Sequence, residues 1–534
     1  MARRKKATPK IAVIDLETDP FKFGRLPKPF AAAFFDGYLY QEYWGAHCVM
    51  ALLAFISTLE EEYVIYAHNG GKFDFFYLFD SLENPVKIIN GRIVEASFGI
   101  HKFRDSYAII PLPLRAYAKE EIDYDCMEAD KREKYKADIL HYLAKDCEYL
   151  FQLVSAFRER FADKLTIGST AIAKLREFHP FKRTNQSHDE KFRPFYYGGR
   201  VEAFRTGIIE GNWKIYDVNS MYPHVMRNKL HPTGSRYAVA ANPKLTPSGK
   251  LVGFGNRPFF IHIEGENIGA FPTRTKTGLD FNQRNGEFFV MSHELETALK
   301  HNRFKPRKIH AAYIPHESIS FADYVDAYIQ EKIDGKKSGD KVKEIFAKLL
   351  LNSAYGKFGQ NPDNYYDYMI IRDTSEIPRD EWDKWELYEM HGELAIWRKK
   401  TDKKLYFDVA TAASITSASR AMLLDAICTA KNVVYCDTDS IICSSFNGDI
   451  DETKLGAWKS EGEADTVAIA GKKLYAAFND GECIKMATKG VRLTPSEILR
   501  LCQGESVHWK NQAPSFSIAN GTTKFIERVL TGRK

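Results

Sequence analysis

The string Tyr435-Cys436-Asp437-Thr438-Asp439-Ser440 constrains this chain more than any other stretch. Apolar, β-branched runs flank it, Asn432-Val433-Val434 before and Ile441-Ile442-Cys443 after, and predict two strands of a tight hairpin with acids at its tip. Asp437 and Asp439 lie two apart, so on extended backbone they point to one side. Two carboxylates held that close repel each other, and hard divalent cations such as magnesium are the usual compensation. An isolated Asp-x-Asp reads as a polar turn; the whole string between strand-forming runs favours a metal site.

Other segments supply matching acids. Ile11-Ala12-Val13-Ile14 predicts a buried strand ending at Asp15-Leu16-Glu17-Thr18, with Asp15 and Glu17 on one face. The loop Asn69-Gly70-Gly71-Lys72-Phe73-Asp74 has glycines that permit close backbone approach. Lys131 to Phe161 has a helical rhythm that sets Tyr142 and Asp146 on one face. Asp15, Glu17, Asp74 and Asp146 then form a set of four carboxylates, which needs two cations, the arrangement that cleaves phosphodiesters. Trp213 to Val218 predicts a strand with Asp217 at its end, and Asn219-Ser220-Met221-Tyr222-Pro223 turns into a helix. Lys341 to Gly359 predicts another helix: Lys348, Asn352 and Tyr355 line one stripe, and Ala347, Leu351, Ala354 and Phe358 an apolar one beside it. Leu165 to Thr170 has turn chemistry and is read as the exit from a first domain.

Composition narrows the class. With 534 residues, 44% hydrophobic and 27% charged, the chain has room for several globular domains. A net charge of only +6 requires any nucleic-acid contact to come from local patches. The eight cysteines include no Cys-x-x-Cys pair, which predicts a reducing, cytoplasmic setting, and no apolar run is long enough for a membrane span.

Taken together, these strings resemble the motifs of family B DNA polymerases, of the protein-primed phage and linear-plasmid branch. Asp15-x-Glu17, Asn69 to Asp74 and Tyr142-x-x-x-Asp146 resemble the three motifs of the proofreading 3′-to-5′ exonuclease. Asp217-x-x-Ser-Met-Tyr222-Pro, Lys348-x-x-x-Asn352-Ser-x-Tyr355-Gly and the acidic hairpin resemble the three polymerase motifs. The resemblance implies an α/β (α+β multidomain) fold, a ribonuclease H-like exonuclease joined to a right-hand polymerase of palm, fingers and thumb with two insertions. The implied boundaries are 1–165 exonuclease, 166–231 linker and first part of the palm, and 232–324 a first insertion for terminal protein and duplex. Then follow 325–360 fingers, 361–406 a second, hairpin-clamp insertion, 407–485 the rest of the palm, and 486–534 thumb. The acids within the second insertion (Asp380, Glu381, Asp383, Glu386 and Glu389) predict that this part faces solvent or a protein, since they would repel DNA.

The same resemblance implies roles. Asp217, the Val218 carbonyl, Asp437 and Asp439 would hold two Mg2+ or Mn2+ ions for polymerisation, and Asp15, Glu17, Asp74 and Asp146 two more for proofreading. Tyr142 would orient the attacking water, and Lys119 would sit near the scissile phosphate. Lys348, Asn352, Tyr355 and Tyr222 would bind the incoming dNTP. Thr18, Asn69, Phe73 and Ser106 would hold single-stranded DNA, although Tyr107 stands where the family usually has leucine. Tyr196, Gly198, Gly199, Thr416, Arg420, Lys473 and Tyr475 would hold the template–primer. The implied protein is a monomeric DNA-directed DNA polymerase, working in the host cytoplasm if phage-encoded, that uses a terminal protein as primer and displaces strands. Other readings stay open: a primer-independent or nucleic-acid-primed family B polymerase, a stand-alone nuclease, and a non-catalytic DNA-binding protein.

Overall fold

The computed structural model describes residues 9–22, 25–118, 120–180, 184–276, 278–401, 407–511 and 525–532. Lys119 lies outside them. Two large sheets organise the described chain.

The first sheet has ten strands, with Lys10–Thr18 third from one edge. That strand pairs antiparallel with Pro29–Phe35 and parallel with Tyr63–Ala67, which in turn runs parallel to His101–Asp105. Ala12, Val13 and Ile14 are wholly buried because helices cover both faces, the condition under which a strand reads as an unbroken apolar run. Helix Lys136–Phe161 lays Ile139, Leu143, Cys147, Leu150 and Val154 on one face, and Cys48–Ser57 packs on the other. The stretch at Leu165 to Thr170 is not a turn but a helix start. It starts helix Ile167–Phe178, whose N-cap Thr166 accepts from the Ser169 amide; cap and turn residues have the same chemistry, hence the misreading.

At its far edge the sheet gains Tyr366–Ile371, Leu394–Lys400 and Glu386–His391, all from the stretch read as a second insertion. The junction with Glu83–Ile89 is narrow, the single pair Tyr368 and Val86. The Asn84 amide clasps the Ile370 backbone from both sides, donating to its carbonyl at 2.6 Å and accepting from its amide at 2.8 Å. The acidic run beyond it is partly neutralised on its own hairpin, Glu381 by Lys399 and Glu386 by Arg398, while Asp380 and Asp383 face solvent.

The second large sheet has seven antiparallel strands, with Gly207–Val218 in the middle between Trp458–Gly471 and Ser440–Cys443. Helix Val409–Thr429 runs behind it, buried along almost its whole length. Ala322–Ser338 and Lys341–Phe358 form a helical hairpin. The second of these is capped by Asp340, which accepts from the Lys343 amide. A four-stranded sheet, in the order Tyr237–Val239, Phe304–Pro315, Phe260–Asn267, Asn285–Met291, fills the stretch read as a first insertion.

Candidate active sites

The acidic string is the expected hairpin: Tyr435–Asp437 pairs with Ser440–Cys443, and Asp437 stands opposite Ser440. Its two-residue loop carries Thr438 at φ 58°, which interrupts the extended alternation at the tip, yet the Asp437 charge still acts on both Asp439 and Asp217. Both Asp437 oxygens accept from Lys473 Nζ, at 2.5 and 2.6 Å. Asp439 instead faces Asp217, which sits at the end of the central strand opposite Ser440. The Val218 amide donates to the Asp439 carbonyl at 2.8 Å, fixing one segment against the other. Burial, reinforced by the Asp217 charge, pushes the Asp439 carboxyl up to about 6. Burial also raises Asp217. Hard oxygen donors drawn together against their own repulsion suit a divalent cation.

The loop Tyr196 to Gly199 lies directly on this tip. A Cβ on Gly199 would come within 2.8 Å of the Thr438 side chain, and the Thr438 amide donates to the Arg200 carbonyl at 2.7 Å. Glycine is required there by the close approach. Arg420 and Thr416, expected on DNA, are instead interior. Arg420 is 3% exposed, donates to the Tyr197 and Gly198 carbonyls at 2.6 and 2.9 Å, and pairs with buried Glu294. Thr416 spends its hydroxyl on the Ala413 carbonyl. Both are corrected to scaffold: a buried side chain with its donors engaged has nothing left for a phosphate. Tyr475 is likewise buried, against Tyr435. Glu294 gave no sequence signal, since its partner lies 126 positions away.

Helix Lys341–Phe358 presents the predicted stripes, with Lys348 and Asn352 exposed and Ala347, Leu351, Ala354 and Phe358 buried. Tyr355 stacks flat on Tyr222, ring centroids 4.0 Å apart and planes 11° from parallel. Tyr196 packs over Gly359 at the end of that helix.

The second cluster gathers Asp15 and Glu17 from strand Lys10–Thr18, Asp74 from the first turn of a short helix, and Asp146 from the long one. Burial, then the charges of Glu17, Asp74 and Asp146, push Asp15 well above the usual carboxylate range. Burial and the Asp146 and Asp74 charges do the same to Glu17. Burial brings Asp74 to about 7 and Asp146 to about 6, a hydrogen bond from Tyr142 restraining the latter. Among the described residues no lysine or arginine pairs with these four, and Asp74 Oδ1 is buried with no hydrogen-bond partner. An orphaned oxygen among all-oxygen donors fits a hard cation. A Cβ on Gly71 would strike the Ile93 carbonyl at 1.9 Å, so this glycine lets the loop before Asp74 seat against its neighbouring strand.

The residues expected to hold single-stranded DNA divide. Asn69, at φ 62°, accepts from Arg92 at 2.9 Å and remains partly exposed, as does Phe73, packed beside Phe21. Ser106 is wholly buried, held by His68 at 2.9 Å and the Ala67 carbonyl, so it is corrected to a structural residue. Thr18 is nearly so. Tyr107, in the leucine position, stacks under the Arg92 guanidinium. The Tyr142 hydroxyl sits 3.2 Å from that of Tyr124, a partner that the reading of Tyr142 alone did not include.

Comparison with known proteins finds a match to the model of "DNA polymerase type B, organellar and viral" over residues 112–447. The chain is 43% identical to the DNA-directed DNA polymerase of Enterobacteria phage PRD1, across 99% of both chains. It is 25% identical to the DNA polymerase of Streptococcus phage Cp-1, across 83% of this chain and 82% of that one. Among solved structures it is similar to phi29 DNA polymerase complexed with primer-template DNA, at TM-score 0.71 and 18% identity, covering 98% of this chain and all of that one.

Proposed function

The chain belongs to the type B DNA polymerases of organellar and viral origin, and from that premise we propose that it extends primers at the Asp217–Asp439 cluster and removes 3′-terminal nucleotides at the Asp15–Asp146 cluster. It is a DNA-directed DNA polymerase, and the biological reaction we assign is replication of a linear genome from a terminal-protein primer, with strand displacement and proofreading. One observation carries the two-centre reading: two carboxylate sets, each drawn from remote segments, converge on separate sheets.

Bound divalent ions, two Mg2+ or Mn2+ at each cluster, supply Lewis acidity that activates the attacking hydroxyl or water and offsets leaving-group charge. Asp217, Asp439 and the Val218 carbonyl would hold them at the polymerising centre. Asp437 is assigned a different task, keeping the Lys473 ammonium beside the primer end. Lys348 neutralises the triphosphate as charge moves onto the leaving group. The stacked Tyr222 and Tyr355 form an aromatic floor for sugar and base. At the other centre Tyr142 positions water, and Asn69 and Phe73 hold the frayed end. We assign 1–165 to the exonuclease and the later boundaries to palm, fingers, insertions and thumb as the sequence implied.

Asp439→Ala is expected to abolish extension while single-strand degradation persists; Asp15→Ala with Asp74→Ala is expected to do the reverse. Loss of both activities in either variant contradicts two centres. Protein priming is tested separately, by covalent deoxynucleotide attachment to a candidate terminal protein, alongside extension of a primed circle without helicase or clamp.

A further inference from the structure

The four-stranded sheet carries a group of side chains that neither carboxylate cluster uses. His262 on Phe260–Asn267, Glu287 on Asn285–Met291 and His310 on Phe304–Pro315 bring their ligand atoms within 4.8 Å of one another. His262 Nε2 lies 2.8 Å from one oxygen of Glu287, and His310 Nε2 lies 3.7 Å from the other. Glu264 adds an oxygen 3.6 Å from His310 Nε2. These residues come from three adjacent strands, so they form one cross-strand patch.

Two features of the sheet need an explanation that packing does not give. The first is a β-bulge. Along Phe304–Pro315, Ala312 and Ile314 point into the core, so His310 would follow them under strict alternation. The register instead jumps from Ala311 opposite His262 to Ile309 opposite Ile263, skipping His310 and turning it onto the outer face. The second is a like-charge pair. Glu264 and Glu287 stand directly opposite each other, an arrangement that costs stability. Among the described residues neither carboxylate is ion-paired with a lysine or arginine, though Lys308 lies opposite Glu264 in register. What meets the two carboxylates is a pair of imidazoles. Those rings are held in place: His262 stacks on Phe289 at 4.2 Å and on His310 at 4.6 Å.

We propose that His262, His310 and Glu287, with Glu264 as a fourth donor, form a binding site for a borderline divalent metal ion, of which Zn2+ is the type. Two imidazoles and a carboxylate match zinc chemistry and are a poor set for magnesium, which wants oxygens alone. An ion there neutralises the opposed glutamates and staples three strands of the sheet. All four side chains are at least partly exposed, so the ion enters from solvent.

The test uses the full chain, stripped with chelator and titrated with Zn2+ against a chromogenic indicator in excess Mg2+, which fills the all-oxygen clusters. Wild type binds one zinc that His262→Gln and Glu287→Gln each lose, or bind at least about tenfold more weakly, while Asp439→Asn keeps it. Co2+ gives the visible bands of a nitrogen-ligated site in wild type and not in His310→Gln. Equal zinc binding by wild type and the His262→Gln/His310→Gln double variant, both folded by circular dichroism, overturns the site. A zinc equivalent that vanishes in Asp439→Asn also overturns it, by moving the ion to the polymerising cluster.

Discussion

Gly199 and Thr438 illustrate how tightly single residues set the centre proposed for polymerisation. The 2.8 Å approach leaves no room for a methyl group, and overpacking of this kind typically costs 1–3 kcal/mol or displaces backbone. Gly199→Ala is therefore expected to slow primer extension by roughly tenfold or more while degradation of single strands is unchanged. Thr438→Gly, which removes the obstructing side chain and suits the positive φ, is expected to restore part of the loss in the double variant. An additive double variant would refute the contact as the cause. Two interior histidines give a second prediction at this scale. Burial holds His231 neutral down to about 4, and His293, also facing His231, down to about 3. Both lie below the ordinary value near 6.5, so the unfolded chain takes up their protons first. Their stabilisation is intact above 6.5 and falls away as pH drops towards 4, by about 3 kcal/mol for His231 alone. Denaturant melts at pH 7.5 and pH 5 should show a shallower acid loss in His231→Gln than in wild type. Residue roles were only half legible in the sequence. Asp217, Asp439 and the four acids of the second cluster converge because motif and chemistry coincide there. Arg420, Thr416, Ser106 and Tyr475 belong to the same strings but face inward, and a motif does not distinguish a side chain that touches the ligand from one that holds up the loop that does.

Between residues and whole chain stand the elements, and their legibility followed the distance over which each is determined. Helix Lys341–Phe358 and the acidic hairpin were readable because a period or a turn is local. The union of Tyr366–Ile371 with Glu83–Ile89 was not, since it pairs segments more than half the chain apart, through one residue pair, the Asn84 amide, the Arg372 guanidinium on the Asp80 carbonyl and the packing of Ile370 against Val86. That amide makes the joint testable. Asn84→Ala leaves the Ile370 N–H and carbonyl without their partners, at about 1–3 kcal/mol for each group that stays buried. Amide exchange across 366–371 is expected to accelerate. If the second insertion clamps the template, long products on duplex templates should fall while short extension on open template is retained. Unaltered exchange in the variant would show that the junction is held elsewhere.

At the scale of the whole molecule the decisive quantity is where charge sits. The chain carries a net charge of +6, yet four of its acids, Glu17 and Asp74 buried and Asp15 and Asp146 half-buried, are packed without basic partners among the described residues into one group around Asp74. Repulsion inside that group opposes folding, and relief comes from whatever cation binds the folded state alone. Metal removal should thus destabilise the protein beyond its effect on catalysis. In excess Mg2+ the thermal midpoint of wild type is expected to rise by the linkage amount, about 2.7 kcal/mol of stability at a hundredfold excess over Kd. Asp74→Asn removes one charge and the need for the ion together. In chelator it should melt above wild type, and in Mg2+ it should gain less. A variant that melts lower in chelator and keeps the full magnesium response would mean that the carboxylates are stabilised by the protein itself, and that the cluster around Asp74 was built for something other than a metal.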